Sequence, residues 1–110
     1  MGLFSRTPST DPAGLSERLK GRDVLVLDVR QTNEWRRGHI RTSVHVPLAQ
    51  LSRQLETLPR DRTIVAVCAS GHRSASAARV LRRAGFQAEN LKGGMNAWSR
   101  AGLPVRRRGR

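Results

Sequence analysis

The sequence predicts an α/β domain in which helices cover both faces of a mostly parallel sheet, giving three layers. Short apolar or β-branched runs alternate with segments rich in helix formers, which is typical of parallel β/α units. Two of the runs, residues 24–27 and 64–67, contain only apolar residues, as strands buried on both faces do. The chain has 110 residues, of which 37% are hydrophobic, enough for one domain with a single modest core.

The first third of the chain is expected to contribute an arm, a helix and a strand. Residues 1–10 carry few apolar side chains and are predicted to form the arm, with a short edge strand around Phe4. A helix is predicted from Pro12, which fits a first helical turn, to Gly21, which ends it. The apolar run that follows predicts a strand over residues 23–28.

The middle of the chain has shorter elements. Residues 34–37 predict a helical turn that Gly38 ends, and residues 44–46 predict a short strand. Four leucines then recur at the spacing of one helical face, and Pro59 ends this helix. These leucines are Leu48, Leu51, Leu55 and Leu58.

The last third contains the central strand and the longest helix. The strand is predicted over residues 63–67 and the helix over residues 74–84, with Gly85 as its C-terminal cap. A weaker strand over residues 86–91 leads through a pair of glycines to a short helix over residues 95–100.

The domain is expected to span residues 11–105 and to be followed by a basic, disordered tail of residues 106–110. The chain has 21 Lys and Arg against 8 Asp and Glu, a net charge of +13. We interpret this charge as a solvated arginine surface, because aromatic residues do not alternate with the basic ones and no nucleic-acid motif is present. An acidic partner, nucleic acid or protein, is the less favoured interpretation.

Composition excludes several classes of protein. A single cysteine excludes an intrachain disulfide framework. No apolar run approaches the roughly 18 residues of a membrane span. The N-terminal residues lack the pattern of a secretion signal, and Arg6 stands where N-myristoylation requires Ser or Thr. We therefore expect a cytoplasmic protein that does not enter a membrane.

The single cysteine, Cys68, lies where the predicted central strand ends and the longest helix begins. Ligands bind at such strand ends in open parallel sheets. A tight turn through Gly71 can direct backbone N–H groups at one point, and Arg73 can add a fixed positive charge. A thiolate in this environment has a lowered pKa and is a nucleophile at neutral pH. The alternative is a buried, unreactive cysteine, which the position of Cys68 at the C-terminal end of the strand disfavours.

Asp28, Arg30 and Glu34 form a compact charged group after the first buried strand. We interpret this group as an ion-pair network that fixes the loop and shapes the pocket wall, in preference to a direct catalytic role.

The three histidines lack the close spacing of metal ligands, so no metal site is predicted. His39 is expected to cap a structural turn and His72 to line the pocket, whereas His45 lies in a predicted strand.

Several motifs, taken in order, make the chain resemble a single-domain rhodanese, a sulfurtransferase, over nearly its whole length. Each motif alone is weak, but their order and spacing are specific. The motifs are Asp28-Val29-Arg30, Glu34-Trp35, Gly38-His39-Ile40, Val46-Pro47-Leu48, the loop from Cys68 to Ser74, Leu91-Lys92-Gly93-Gly94, Ala97-Trp98, Gly102 and Pro104. Thr42-Ser43 replaces a Gly-Ala pair common in the family, and His45 replaces the usual Asn; both departures lie on a structural turn.

The resemblance implies a five-stranded parallel sheet between helices. It also implies that Cys68 takes a sulfane sulfur from thiosulfate or another small anionic donor and carries it as a persulfide. The acceptor would be cyanide in the test tube, or a thiol or protein in the cell, and neither a metal nor an organic cofactor is implied. The resemblance places substrate binding in the loop, chiefly on backbone N–H groups. The loop residues are Ala69, Ser70, Gly71, His72, Arg73 and Ser74.

Two alternatives remain open. A small cysteine-dependent phosphatase or arsenate reductase would use a similar loop, but such phosphatases have one residue more between Cys and Arg than the four that separate Cys68 from Arg73. A tetrahedral phosphoryl group needs a wider ring of N–H donors, so the shorter loop favours a single sulfur. The second alternative is a non-catalytic rhodanese-like module that binds or carries sulfur. Such modules have typically lost the loop cysteine, which this chain retains.

Overall fold

The computed structural model describes residues 7–107 and contains one five-stranded sheet. The strand order is β1-β5-β4-β2-β3, and every strand pair in this sheet is parallel. The predicted α/β fold with a mostly parallel sheet is therefore confirmed. The strands are β1 Ser9–Thr10, β2 Val24–Asp28, β3 Val44–His45, β4 Thr63–Val67 and β5 Ala88–Leu91.

The helices connect these strands in the predicted order. They are α1 Pro12–Arg18, α2 Thr32–Arg37, α3 Leu51–Gln54, α4 His72–Arg83 and α5 Gly94–Arg100. The leucine-rich segment differs from its prediction, because α3 is a single turn flanked by 3-10 turns over Leu48–Gln50 and Leu55–Thr57. The three-residue steps between its outer leucines fit the period of a 3-10 turn, which explains the difference. No helix within residues 7–107 is long and apolar enough to cross a membrane.

Alternate residues of the two central strands build two apolar cores, one on each face of the sheet. On one face β2 and β4 pack with residues of α3 and α4, and on the other they pack with residues of α1 and α5. The unbroken apolar runs in the sequence are explained by this burial on both faces. The first core includes Leu25, Leu27, Ile64, Ala66, Cys68 and Leu81, and the second includes Leu15, Val24, Val26, Val65, Val67 and Trp98.

Backbone pairing extends beyond residues 11–105 at both ends. β1 pairs with β5, although the sequence assigned Ser9–Thr10 to the arm, and the edge strand expected around Phe4 lies outside the described residues. Arg106, expected in a disordered tail, forms an antiparallel bridge with His39 through N···O distances of 3.0 and 2.8 Å. Arg106 therefore has backbone partners in the loop after α2, whereas the predicted tail of residues 106–110 remains a prediction.

Candidate active site

Cys68 follows β4 at the carboxyl edge of the sheet, with only 1% of its surface exposed. The chain then turns sharply, because Gly71 adopts a φ of 104°, a left-handed conformation that favours glycine. Helix α4 begins directly after this turn at His72, two residues earlier than the sequence predicts. Ser74, the third residue of α4, lies within hydrogen-bond distance of the Cys68 sulfur.

Three hydrogen bonds converge on the Cys68 sulfur. Gly71 N–H donates to Sγ at 3.1 Å, Ser74 N–H at 3.3 Å and Ser74 O–H at 3.2 Å. Burial raises the pKa of the Cys68 thiol, but the hydrogen bonds from Ser74 and Gly71, with a smaller contribution from the Ser70 N–H, outweigh burial and hold this pKa below its ordinary value. The site therefore favours a thiolate, the nucleophilic form of cysteine.

Asn90, which the sequence analysis did not identify, connects β5 to this loop. Its Oδ1 lies 2.5 Å from Ser74 Oγ, and its Nδ2 donates to Gly71 O at 3.3 Å. The Ser74 hydroxyl has one proton and two acceptors within reach, so it donates to either the sulfur or Asn90 at a given moment. The sequence feature that could have identified Asn90 is its position as a polar residue directly before the Leu91-Lys92-Gly93-Gly94 motif.

The turn after β5 supports the loop from the other side. Met95 N–H donates to Cys68 O at 2.8 Å, and Asn96 N–H donates to Ala69 O at 2.9 Å. A side-chain carbon on Gly94 would overlap the carbonyl oxygens of both Cys68 and Ala69. Only a glycine allows this close approach. The sequence analysis assigned Gly94 to a turn and missed this supporting role.

The predicted charged group separates into two ion pairs. Asp28 and Arg30 form a buried pair with an Oδ2–Nη2 distance of 2.7 Å, and Arg30 also donates to Gly38 O at 2.8 Å. Glu34 instead pairs with Arg73 of the loop, accepting its two N–H groups at 2.8 and 3.0 Å. The hydrogen bonds from Arg73 lower the pKa of Glu34 to about 2 despite partial burial. Arg73 thus lies beside a carboxylate that balances its charge.

The histidines take different positions, and two of them stack on one tryptophan. The Trp35 ring lies 3.8 Å from the His39 ring and 5.1 Å from the His45 ring, nearly parallel to both. His39 Nδ1 is 2.8 Å from Trp35 O, and His45 Nε2 is 2.8 Å from Arg30 O. Trp35 Nε1–H donates to Ser43 Oγ at 3.2 Å, so Ser43 and His45, two of the positions that depart from the rhodanese pattern, are hydrogen-bonded.

His72, by contrast, is exposed beside the cysteine loop, with its Nδ1 3.1 Å from Ser70 Oγ. Within residues 7–107 no cluster of three His, Cys, Asp or Glu residues could hold a metal ion.

At least two cavities open on the surface of the described chain. The larger, of about 400 Å³, lies beside Leu19, Ile40 and Trp98 and includes no residue of the cysteine loop. The smaller, of about 360 Å³, includes Glu34, the partner of Arg73, and Asn96, whose N–H binds Ala69 O. No residue from Cys68 to Ser74 lines either cavity, but these two contacts connect the wall of the smaller cavity to the loop. The smaller cavity is therefore the more relevant to chemistry at Cys68.

Comparison with known proteins agrees with this geometry. A family model described as "Rhodanese-like domain" matches residues 11–101. The chain is 37% identical over 97 residues to a protein named sulfurtransferase from Allochromatium vinosum, covering 86% of this chain and 91% of that protein. It is 37% identical over 87 residues to the putative sulfurtransferase YtwF of Bacillus subtilis, covering 78% and 84%. The crystal structure of a rhodanese-related protein from Thermoplasma volcanium superposes with a TM-score of 0.85 at 34% identity, covering 90% of this chain and 97% of that one.

Proposed function

Since this chain belongs to the rhodanese family, we propose that it moves a sulfane sulfur from thiosulfate or a similar small anionic donor to an acceptor through a persulfide on Cys68. The family and its sulfurtransferase relatives support sulfur transfer in general. The observation that carries the specific proposal is the convergence of three hydrogen bonds on one buried sulfur. This arrangement stabilises the thiolate before sulfur transfer and again when the thiolate leaves.

The reaction has two displacement steps. The Cys68 thiolate attacks the outer sulfur of thiosulfate, a new S–S bond forms, and sulfite leaves with the electron pair of the broken S–S bond. An acceptor thiolate or cyanide then attacks the outer sulfur of the persulfide, and the Cys68 thiolate leaves with its electron pair. Sulfur and electrons balance between donor and acceptor in these two steps.

The size of the loop supports sulfur transfer over the phosphatase and arsenate reductase alternative. Gly71 N–H and Ser74 N–H already lie within 3.3 Å of Sγ, and Arg73 is bound to Glu34. A phosphoryl group in transfer needs donors around three equatorial oxygens. The close N–H groups suit one small sulfur better than a tetrahedral group.

Intact mass spectrometry tests the proposal directly. The reduced protein should gain the mass of one sulfur atom after incubation with thiosulfate, and cyanide should remove that mass and produce thiocyanate. Cys68→Ser should do neither, and the wild type should hydrolyse an aryl phosphate negligibly. A protein that gains no sulfur on Cys68 would contradict the proposal and favour the non-catalytic binding module. Efficient phosphate hydrolysis would favour the phosphatase.

We predict that loop length determines the chemistry. Inserting one glycine between Gly71 and His72 should displace the N–H groups of α4 from the sulfur and slow sulfur loading by about a hundredfold or more, as loss of an anion-binding donor does. A glycine inserted between Arg60 and Asp61, in the turn before β4, is the matched control and should leave loading unchanged. Unchanged loading after insertion in the cysteine loop would show that loop length does not select the reaction.

A further inference from the structure

The cavity of about 360 Å³ near the cysteine loop is lined by more basic than acidic residues. We refer to it as the α2–α5 cavity, because its lining includes Glu34 and Arg37 of α2, Asn96 and Ser99 of α5, and Arg107. Its volume lies at the lower end of the range for small-molecule sites, roughly 300–1,000 Å³. The cavity is therefore large enough for a molecule bigger than thiosulfate.

Positive charge in the α2–α5 cavity exceeds negative charge. Glu34 is the only acidic residue in its lining, and both of its oxygens accept N–H groups of Arg73. Arg30 is balanced by Asp28. Arg37 and Arg107 are exposed and form no ion pair within residues 7–107. Two guanidinium groups at one cavity thus have no carboxylate partner in the described chain.

Uncharged hydrogen-bonding groups lie in the same cavity. The Asn96 amide and the Ser99 hydroxyl are on exposed residues of α5, and Asn96 also binds the cysteine loop through its backbone. Planar guanidinium groups bind carboxylates with two parallel hydrogen bonds, and neighbouring amides and hydroxyls add further bonds. The groups that line this cavity are therefore those that recognise a carboxylate.

We propose that the α2–α5 cavity binds the carboxylate of a small thiol that accepts sulfur from Cys68, with Arg37 and Arg107 as the residues that determine this specificity. The assignment depends on the proposed function, because it places the acceptor of that reaction. In the transfer, the acceptor thiol loses its proton to solvent and its thiolate attacks the outer sulfur of the persulfide. A new S–S bond forms to the acceptor, the S–S bond to Cys68 breaks, and the Cys68 thiolate leaves with its electron pair. The carboxylate takes no part in bond making; it orients the acceptor.

Matched acceptors test the specificity. Protein loaded with sulfur by thiosulfate, and verified by mass, is discharged with mercaptopropionate, with neutral mercaptoethanol or with cationic cysteamine. The wild type should prefer mercaptopropionate, and this preference should weaken at high salt. Arg37→Gln and Arg107→Gln should each raise the half-saturating concentration of mercaptopropionate about two- to fivefold, as expected for exposed ion pairs, and leave mercaptoethanol unaffected.

Arg36→Gln is the control, because Arg36 is an exposed arginine of the same helix that does not line the cavity. It should retain the preference for mercaptopropionate, whereas the Arg37→Gln, Arg107→Gln double variant should lose it. An equal loss in Arg36→Gln, or a preference that survives in the double variant, would overturn the proposal, since the effect would then come from the overall charge or from another site.

A binding measurement separates this proposal from the proposed function. Mercaptopropionate titrated into Cys68→Ser protein, which cannot carry sulfur, should shift the backbone amide NMR signals of Gly38 and Asn96, two residues that line the cavity. The shifts should disappear in protein that also carries Arg37→Gln and Arg107→Gln. If the wild type fails to load sulfur but these shifts occur, the sulfur-transfer mechanism is wrong and the carboxylate site stands. If loading succeeds and the shifts are absent, the carboxylate site is wrong.

Discussion

Ser74 gives the Cys68 sulfur more support than any other single residue. Its N–H donates to Sγ at 3.3 Å, its O–H lies 3.2 Å from Sγ and is shared with Asn90 Oδ1, and the residue is fully buried at the start of α4. The pKa of the Cys68 thiol is held below its ordinary value by bonds from Ser74, Gly71 and Ser70 against the opposing effect of burial. The Ser74 hydroxyl is the one donor in this set that a substitution can remove without disturbing the backbone.

We predict that Ser74→Ala raises the pKa of the Cys68 thiol and slows both alkylation and sulfur loading at neutral pH. One hydrogen bond to a charged group contributes about 1.5 kcal/mol, which corresponds to roughly a tenfold loss of thiolate. The measurement is the rate of iodoacetamide alkylation against pH. Ser76→Ala, on the same helix with its hydroxyl bound to Arg79, should leave the profile unchanged. An unchanged profile in Ser74→Ala would show that backbone N–H groups alone set the acidity.

The turn between β5 and α5 holds the cysteine loop in place, although it is distant from the loop in sequence. Gly93 and Gly94 have φ values of 75° and 59°, and the turn directs the Met95 and Asn96 N–H groups at the Cys68 and Ala69 carbonyls. The closeness of Gly94 to these carbonyls leaves no room for a side chain. The position of the Cys68 sulfur therefore depends on two segments, the loop itself and this turn.

Gly94→Ala is expected to destabilise the fold by about 2–5 kcal/mol, from the left-handed backbone conformation together with the overlap with two carbonyl groups. Gly102→Ala is the matched control, because Gly102 also has a positive φ, of 73°, but nothing within 4 Å of the added carbon. It should cost only about 1 kcal/mol. Urea unfolding of both variants measures the difference, and equal costs would refute the close-approach argument.

The Glu34–Arg73 ion pair connects α2 to α4 and should make stability depend on acid pH. The pKa of Glu34 is lowered to about 2 from 4.5, mainly by the hydrogen bonds from Arg73. Its stabilising effect is therefore complete above about pH 4.5 and is lost as the pH falls towards 2. Since the two side chains are 26% and 36% exposed, we expect Glu34→Gln to cost no more than about 1 kcal/mol at pH 7.

Denaturant unfolding of the wild type and Glu34→Gln at pH 7 and pH 3 should show this difference in stability shrinking at the lower pH. Glu56→Gln is the control, because Glu56 is exposed and forms no ion pair within residues 7–107. A difference that stays constant with pH would mean that Glu34 acts through packing and not through its charge.

The central parts of the fold and site could be predicted because they depend on residues that are neighbours in the sequence. The apolar runs predicted β2 and β4, and the position of Cys68 between a strand and a helix marked the site. Asn90 and Gly94 were missed because their roles depend on strand order, which brings the end of β5 beside the loop after β4. The partner of Glu34 was missed for the same reason: Arg73 is 39 positions away in sequence.

Across the molecule, positive charge is distributed far beyond the candidate site. The chain has 21 basic and 8 acidic residues, so most basic residues have no carboxylate to pair with. The described chain contains four ion pairs. The boundary predicted at Val105 remains a prediction, but Arg106 pairs with His39 and Arg107 lines the α2–α5 cavity. Two of the basic residues assigned to the tail therefore have a defined place in the structure.

We predict that a chain ending at Arg107 keeps full thermal stability and sulfur loading but binds a polyanion such as heparin less tightly at low salt, because Arg108 and Arg110 are removed. A chain ending at Val105 should in addition lose the two backbone hydrogen bonds of Arg106, about 1 kcal/mol or more, and melt about 5 °C lower. Thermal unfolding and heparin elution of the two truncated chains measure this. Identical melting temperatures would show that the Arg106 pairing contributes nothing to stability.

The pairing of β1 with β5 has a consequence for synthesis on the ribosome. β2, β3 and β4 can pair with one another as soon as the first two thirds of the chain have emerged, whereas Ser9 must wait for Asn90. The Ser74–Asn90 and Met95–Cys68 contacts wait for the same late segment. A small domain folds cooperatively as a unit, so the support of the Cys68 loop is complete only when this late segment is available. On the ribosome, the Cys68 site can therefore form only after the segment through Met95 has left the exit tunnel.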